Sequence, residues 1–205
     1  MRVFQIQDDW GMANLKLAKR QRPHPGPGQV LLRMLASSLN YRDLVVPERG
    51  YGSFTGTLPL IPVSDGVGQV VEVGPGVTRV AVGERVCPTF FQGWIAGEPD
   101  LARMTGSLGG PIDGTMAEFM CLSEQGVVKL PAHLSDVDAA TLPCAALTAW
   151  SALATHGTLR PGEQVLVQGS GGVALFALAF AKLAGARVTV ISSSDEKIER
   201  LKALG

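Results

Sequence analysis

Three small residues with a regular spacing, Gly169-x-Gly171-x-x-Ala174, follow the apolar run Val165–Val167 and precede the apolar stretch from Leu175 to Leu183. A strand that turns through glycines into a helix leaves backbone N–H groups and the positive end of the helix dipole open to a phosphate. The spacing is the G-x-G-x-x-G/A form of the dinucleotide fingerprint. The sequence therefore predicts a nicotinamide dinucleotide site here, with cofactor-binding residues Gly169, Ser170, Gly171, Gly172 and Val173. Gly169 permits the tight turn, and Gly171 and Gly172 leave room for the pyrophosphate.

The end of the next predicted strand indicates which dinucleotide binds. An NAD site commonly has an acidic residue there, about 20 residues further on, which bonds the ribose hydroxyls. This chain has Ser192, Ser193 and Ser194 instead, with Lys197 one turn into the following helix. Hydroxyls and a lysine suit a 2′-phosphate, so the sequence favours NADPH over NADH. Two alternatives stay open: Asp195 would favour NAD if it points inward, and the serines also suit an ordinary loop and N-cap.

The elements that must position these residues alternate between strand and helix. Strands Gln164–Gln168 and Arg187–Ile191 and helices Val173–Ala184 and Asp195–Leu204 are predicted, an order typical of a parallel sheet with crossover helices. The first part of the chain is β-rich, and its short, turn-separated strands indicate a small barrel-like fold. These strands are predicted at Val30–Ala36, Gly66–Val73, Arg85–Phe91, Met116–Leu122 and Val127–Leu130.

A helical stretch separates the two parts. The pattern Ser135-x-x-Asp138 resembles a capping box. Two helices, Asp138–Leu142 and Cys144–Thr155, are predicted after it, separated by Pro143 and closed by Gly157. We therefore predict one domain over residues 1–130, followed over residues 131–205 by linker helices and an incomplete cofactor domain.

Bulk composition argues against several classes of protein. Lys plus Arg and Asp plus Glu each number 18, so we expect no nucleic-acid surface. No apolar segment is long enough for a signal peptide or a membrane span, which makes a cytoplasmic location the expectation. Cys87, Cys121 and Cys144 form no C-x-x-C pair and the histidines are scattered, so neither a disulfide framework nor a structural zinc cluster is expected.

Several segments in one order resemble the medium-chain dehydrogenase/reductases, and within them the zinc-lacking quinone oxidoreductase-like branch. The segments are Ser38–Leu44, Leu60–Gly68, Val71–Thr78, Val82–Val86, Gly114–Phe119, Thr141–Leu153 and the glycine fingerprint. The resemblance covers essentially the whole chain. It implies a mixed α/β and β fold: a GroES-like irregular β-barrel domain followed by the first part of a Rossmann doubly wound parallel sheet, with the active site in the cleft between them.

The resemblance also bears on metal binding. Zinc-bearing members have Cys, His and Cys at the catalytic metal, with Glu beside the His. This chain has Asn40 and Ser64 at the first two positions and Asp65 beside Ser64, and only Cys144 matches the third. Asn, Ser and one thiolate cannot supply the ligands that zinc usually takes, so no catalytic zinc is expected. Cys144 is expected to pack as a small apolar residue near the cofactor, and a role as ligand or nucleophile is the alternative.

Catalytic roles follow from the resemblance as well. Asn40, Tyr41 and Asp43 are implied to line the floor of the cleft. Tyr41 is the best candidate to donate to a developing oxyanion, although a packed aromatic at a helix start is the equal alternative. Asn40 could bond substrate or ribose, and Asp43 is expected to fix the local turn. Ser64 and Asp65 either hydrogen-bond in the cleft or have a purely structural role.

Two further assignments keep their alternatives. Thr148 is implied to lie on the nicotinamide side, or else is an ordinary hydroxyl on a helix face. Phe90, Phe91 and Trp94 form an apolar substrate wall or belong to the core.

Together these features predict an NADPH-dependent, zinc-independent oxidoreductase that transfers hydride to a quinone, an activated alkene or a carbonyl. The alternatives are an enoyl-thioester reductase, a catalytically impaired fragment that acts as a binding module, and a zinc-type NAD-linked alcohol dehydrogenase. The resemblance implies a homodimer for a full-length form. Complete members continue well beyond the second strand and helix, so we expect a truncated form with weak cofactor binding, little turnover and doubtful dimer formation.

Overall fold

The computed structural model describes residues 1–52 and 55–204, which divide into two compact units, Met1–Pro143 and Cys144–Gly205. The division falls inside the segment that the sequence predicts as linker helices. The two units are called the N-terminal unit and the C-terminal unit below.

Strands dominate the N-terminal unit. Strands β1 (Arg2–Ile6) and β2 (Leu15–Lys19) form an antiparallel pair, joined through a short 3₁₀ helix at Met12–Asn14. The other strands are β3 (Gln29–Ser38), β4 (Asp65–Val73), β5 (Arg85–Pro88), β6 (Phe119–Ser123) and β7 (Val127–Lys129). They form one antiparallel sheet in the order β6-β3-β4-β5-β7.

The central strand of this sheet explains its core. β3 pairs with β4 on one side and β6 on the other, and its residues Val30, Leu31 and Leu32 are fully buried. Two irregularities in the β3–β4 register bend the pair, as bulges do. Val70, Val86 and other apolar side chains from the neighbouring strands complete the core cluster.

Short helices connect the strands. They are α1 (Arg42–Val45), α2 (Leu101–Met104), a 3₁₀ turn at Glu124–Gly126 and α3 (Asp136–Ala140). Ser135 caps α3 as predicted, because its hydroxyl accepts from the Asp138 N–H at 3.1 Å, and the same hydroxyl donates to the Asp138 carboxylate.

The prediction that Pro143 separates two helices is wrong. A π-helical turn, Leu142–Ala146, contains Pro143 and runs on through α4 (Leu147–Trp150) into a second π-helical segment, Ser151–His156. Pro143 stands in the first turn of this stretch, where a missing N–H leaves no hydrogen bond unmade.

The C-terminal unit contains the predicted alternation. Strands β8 (Gln164–Gln168) and β9 (Arg187–Ile191) pair in parallel and have the predicted bounds. Helices α5 (Gly172–Leu183) and α6 (Asp195–Ala203) follow them, each within one residue of its prediction at either end. Several apolar side chains of this unit are exposed, among them Leu166 at 59% and Leu183 at 84%. No helix in residues 1–52 or 55–204 has the length and apolarity needed to cross a membrane.

Other predicted strand bounds needed correction. The sequence analysis did not predict β1 and β2, which have no strong apolar run; β1 mixes buried and exposed residues, and β2 has no fully buried residue. The strand predicted at Arg85–Phe91 ends at Pro88, and the one predicted at Met116–Leu122 begins at Phe119.

Candidate functional site

A cleft of about 500 Å³ opens in the C-terminal unit where β8 turns into α5. Two strand ends and one helix turn build it. The residues that line it are Gln168, Gly169, Ser170, Gly171, Ile191, Ser192, Ser193 and Lys197.

The backbone at the mouth of this cleft depends on glycine for two different reasons. Gly169 has a φ of +91°, which a side chain would strain, and its N–H donates to the Ile191 carbonyl at 2.8 Å. Gly171 is the N-cap of α5 with φ −80° and ψ 179°, an extended conformation open to any residue. A Cβ at Gly171 would meet no atom within 4 Å, so the absent side chain leaves open space in front of the helix.

That open space suits a diphosphate. The first N–H groups of a helix have no partner inside it, and no side chain caps the N-terminus of α5. With the helix dipole they form an anion site, and a missing Cβ lets the anion approach the backbone. The residues present therefore fit a dinucleotide.

Most of the residues predicted to hold the cofactor share this cleft. Those that line it are Gly169, Ser170, Gly171, Ser192, Ser193 and Lys197. Gly172, Val173 and Thr148 are not among its lining residues; a Cβ at Gly172 would stand 3.4 Å from that of Ala145, and Thr148 is an exposed residue of α4. The sequence analysis missed Gln168 and Ile191, the strand ends on either side of the fingerprint turn.

The charge of the cleft comes from one side chain. Lys197 is the charged residue in its lining, and no carboxylate lines it in the part of the chain that the structure describes. Asp195 and Glu196 stand in the first turn of α6, as the helix dipole favours, and Glu196 accepts from Arg200 at 2.7 Å.

A second set of predicted residues occupies the N-terminal unit, around the start of α1. The Asn40 backbone N–H donates to Asp43 Oδ2 at 2.7 Å, and the Asp43 N–H donates to the Asn40 carbonyl at 3.0 Å. Asp43 therefore fixes this turn. Burial raises the pKa of the Asp43 carboxyl, while the Asn40 N–H and the nearby Arg42 charge lower it and Asp65 raises it further.

Ser64 and Asp65 lie deep in the same unit. Both are almost fully buried, and the Ser64 hydroxyl donates to Asp65 Oδ1 at 2.7 Å. The Thr115 hydroxyl donates to the Asp65 carbonyl at 3.0 Å. Asp65 also acts on its neighbours, because its charge contributes to the raised pKa values of Asp43 and Cys87, the latter about 12 and caused mainly by burial.

The aromatic candidates differ in exposure. Tyr41 is the N-cap residue of α1 and is 82% exposed, so its hydroxyl is accessible. Phe90 and Phe91 meet edge to face with ring centroids 4.6 Å apart, and Trp94 lies 6.0 Å from Phe91. All three are half-buried and Phe91 contacts the other two, which fits both the wall and the core alternatives. Cys144 is half-buried.

Buried polar atoms without a partner concentrate near these residues. In the described part of the chain they are Asn40 Nδ2, Arg42 Nε, Asp43 Oδ1 and Thr55 Oγ1. Three of the four belong to the single segment from Asn40 to Asp43, so the strongest unsatisfied hydrogen-bonding capacity lies at the predicted catalytic floor. The sequence analysis missed Arg42 and Thr55, which carry no recognisable motif.

The donor set does not fit a catalytic zinc. Among residues 1–52 and 55–204 no group of three or more His, Cys, Asp or Glu is placed to hold a metal ion. The resemblance implies that Ser64 replaces the His of zinc-bearing members, and in the structure its hydroxyl donates to Asp65 Oδ1.

Comparison with known proteins decides the family. Residues 26–132 match the model of the alcohol dehydrogenase GroES-like domain, just over half of the chain. The chain belongs to the medium-chain dehydrogenase/reductase family. Its N-terminal unit accordingly contains the GroES-like domain, which confirms the resemblance and the predicted fold class.

Individual relatives agree with this assignment. A zinc-type alcohol dehydrogenase-like protein of Schizosaccharomyces pombe is 42% identical over 198 residues, which are 95% of this chain and 57% of that protein. A solved structure of a proposed alcohol dehydrogenase from Sinorhizobium meliloti 1021 is 45% identical with a TM-score of 0.90, and covers 100% of this chain and 61% of its own. The solved structure of a quinone oxidoreductase from Pseudomonas syringae pv. Tomato DC3000 is 30% identical with a TM-score of 0.80. The match covers 100% of this chain and 56% of that one. The chain thus spans about three-fifths of the length of these relatives.

Proposed function

We propose that the protein is an NADPH-dependent, zinc-independent oxidoreductase that reduces quinones or activated alkenes and carbonyls. One observation carries the proposal: the cleft at the β8–α5 turn combines an open helix N-terminus with Ser192, Ser193 and Lys197, and none of its lining residues is acidic. A ribose bearing a 2′-phosphate would meet hydroxyl donors and a positive charge there, and no repelling carboxylate.

Each part of the cleft has a task in this proposal. The backbone at Gly169 and Gly171 binds the diphosphate, while Ser192, Ser193 and Lys197 bind the 2′-phosphate and so select NADPH. When bound, the reduced nicotinamide supplies a hydride. Asp195, which would favour NAD if it faced the ribose, is not among the residues lining the cleft.

The N-terminal unit is proposed to stabilise the substrate. The unpartnered Asn40 Nδ2 is a donor for an acceptor oxygen, and the exposed Tyr41 hydroxyl can donate a hydrogen bond or proton to an oxyanion. A quinone or enone is already electrophilic by conjugation, so two such donors meet the main requirement without a Lewis acid. Asp43 holds the turn that carries both donors.

Two relatives point to different substrates, and the donor set favours one. The S. pombe relative is named as zinc-type, whereas the P. syringae neighbour is a quinone oxidoreductase. Since Asn40 and Ser64 replace two metal ligands, we propose the quinone-type activity.

The test changes Gly171. The backbone at Gly169 and Gly171, proposed to bind the diphosphate, is called the cradle, and the missing side chain of Gly171 leaves it open. Gly171→Asp adds a favourable N-cap and places a carboxylate where the diphosphate is proposed to bind. The dissociation constant for NADPH, measured by calorimetry on the 205-residue chain, should rise at least about tenfold, roughly 1.4 kcal/mol. The free energy of unfolding without ligand should stay unchanged or rise slightly, because Gly171 has an extended backbone that aspartate adopts freely.

Gly171→Ser is the matched control, since it also caps the helix and adds no charge. Gly171→Ser should raise the dissociation constant for NADPH less than Gly171→Asp does. Equal NADPH affinity in the wild type and Gly171→Asp would refute the proposed cradle. Reduction of a quinone panel with NADPH, with bound zinc quantified on the same sample, tests the reaction; turnover that requires added zinc would contradict it.

A further inference from the structure

Arg42 is a buried cation that the proposed reaction does not use. It is 6% exposed and lies in α1 between Tyr41 and Asp43. A buried guanidinium is costly to desolvate unless its N–H groups find acceptors, so its contacts need a reason. We infer that Arg42 is a positioning residue that ties the Asn40–Asp43 segment to the loop 107–112; its importance for turnover rests on the proposed function.

The guanidinium binds the loop through two backbone carbonyls. Arg42 Nη1 donates to the Leu108 carbonyl at 2.7 Å, and Nη2 donates to the Gly110 carbonyl at 3.0 Å. Both bonds are buried and join residues 66 and 68 positions apart. Two N–H groups of one planar fork thus fix the direction of the side chain as well as its distance.

Aromatic rings hold the same group. The Arg42 guanidinium carbon lies 4.9 Å from the centroid of the Tyr51 ring and 4.8 Å from that of Phe90. Arginine stacks on aromatic faces in a way that the compact lysine ammonium does not reproduce. Phe90, a candidate for the substrate wall, is therefore tied to the same side chain as the floor.

The loop that Arg42 grips is itself anchored. The Leu108 side chain is fully buried in the core cluster, and the Ser107 hydroxyl donates to the Gly110 carbonyl at 2.5 Å. The loop backbone is also hydrogen-bonded: the Leu108 N–H donates to the Phe90 carbonyl, and the Ile112 N–H donates to the Ser107 carbonyl. The Arg42 side chain joins this anchored loop to α1, a helix of only four residues. Because the loop is the better anchored of the two, it orients the helix. The orientation of the helix in turn sets the positions of Asn40 Nδ2 and the Tyr41 hydroxyl.

The decisive variant is Arg42→Lys, which keeps the charge and loses the planar fork. Arg85→Lys is the matched control, because Arg85 also grips backbone carbonyls, those of Leu134, Ala132 and Pro131, in the same unit. Amide hydrogen exchange on the 205-residue chain should become about tenfold faster at residues 42–46 and 107–112 in Arg42→Lys. In Arg85→Lys the acceleration should fall on residues 131–136 instead.

Steady-state kinetics then separate positioning from simple support. Arg42→Lys should lower kcat for a quinone about tenfold and leave the KM for NADPH within about twofold, because the proposed cofactor cleft lies in the C-terminal unit. Unchanged exchange at both segments would overturn the tie, and faster exchange with unchanged kcat would overturn the positioning role. If the wild-type chain neither binds NADPH nor reduces any quinone, the proposed function fails, and hydrogen exchange alone then decides whether Arg42 joins the two segments.

Discussion

The two candidate sites differ in how they are built: one consists of buried, hydrogen-bonded side chains, and the other is an open cleft beside the backbone. In the N-terminal unit, Asp43, Ser64 and Asp65 are buried, and their side chains bond one another or the backbone, while Asn40 is half-buried beside them. In the C-terminal unit, the cleft is lined by two glycines, three serines, the strand-end residues Gln168 and Ile191, and one exposed lysine. The first candidate site holds a few side chains in place, and the second leaves open space beside the backbone, where we propose that the dinucleotide binds.

This difference has a consequence for stability. Side chains that bond one another in a closed interior depend on the packing around them, so a distant core change reaches them. An open backbone cradle depends on local conformation at a few residues. The N-terminal unit should therefore be sensitive to core truncation, and the C-terminal unit to changes at its glycines.

The largest expected effect contrasts one leucine from each unit. Leu32 in β3 is fully buried, and Leu166 in β8 is 59% exposed. Leu32→Ala should lower the free energy of unfolding by about 2–5 kcal/mol in urea titrations, since it loses transfer free energy and leaves a cavity. Leu166→Ala should cost less than about 1 kcal/mol, because little apolar surface is removed from the interior. Equal costs would show that the units do not differ in this way.

Predictability from sequence follows the same division. The bounds of β8 and β9 and most of the cleft residues could be predicted, because a local run of apolar residues, glycines and serines specifies them. Arg42 could not, since its acceptors lie 66 and 68 residues away and no local pattern announces them. Nor could the passage of the helical stretch through Pro143, where position within the first turn overrides the usual effect of proline.

A smaller effect concerns pH and the closed site. Burial raises the pKa of Asp43 above its ordinary 3.8, so its ionisation opposes folding. Relative to Asp43→Asn, the wild type should lose stability as pH rises from 3.8 through the raised pKa of Asp43, and change no further above it. An asparagine carbonyl can still accept from the Asn40 N–H. Urea unfolding of both proteins across this range measures the difference.

Glu124 gives a control of opposite sign. Hydrogen bonds from the Arg79 and Thr78 N–H groups lower the pKa of Glu124, so its stabilisation is present above the ordinary glutamate pKa and lost as pH falls through the lowered one. The stability difference between wild type and Glu124→Gln should therefore shrink on acidification. If Asp43→Asn showed the same sign as Glu124→Gln, burial would not dominate at Asp43.

The smallest expected effect sharpens the view of the open site. Lys197 lies in the cleft lining at the proposed 2′-phosphate, whereas Lys202 on the same helix pairs with Glu199 at 2.7 Å. Lys197→Met should weaken the binding of NADPH about three- to fivefold, roughly 0.6–1 kcal/mol for one exposed charge. The affinity for NADH should stay unchanged, because NADH has no 2′-phosphate. Lys202→Met should change neither. The loss should diminish at high salt, since the contact is solvent-exposed. Equal weakening of both dinucleotides would place Lys197 at the diphosphate instead, and the choice of cofactor would then rest on Ser192 and Ser193.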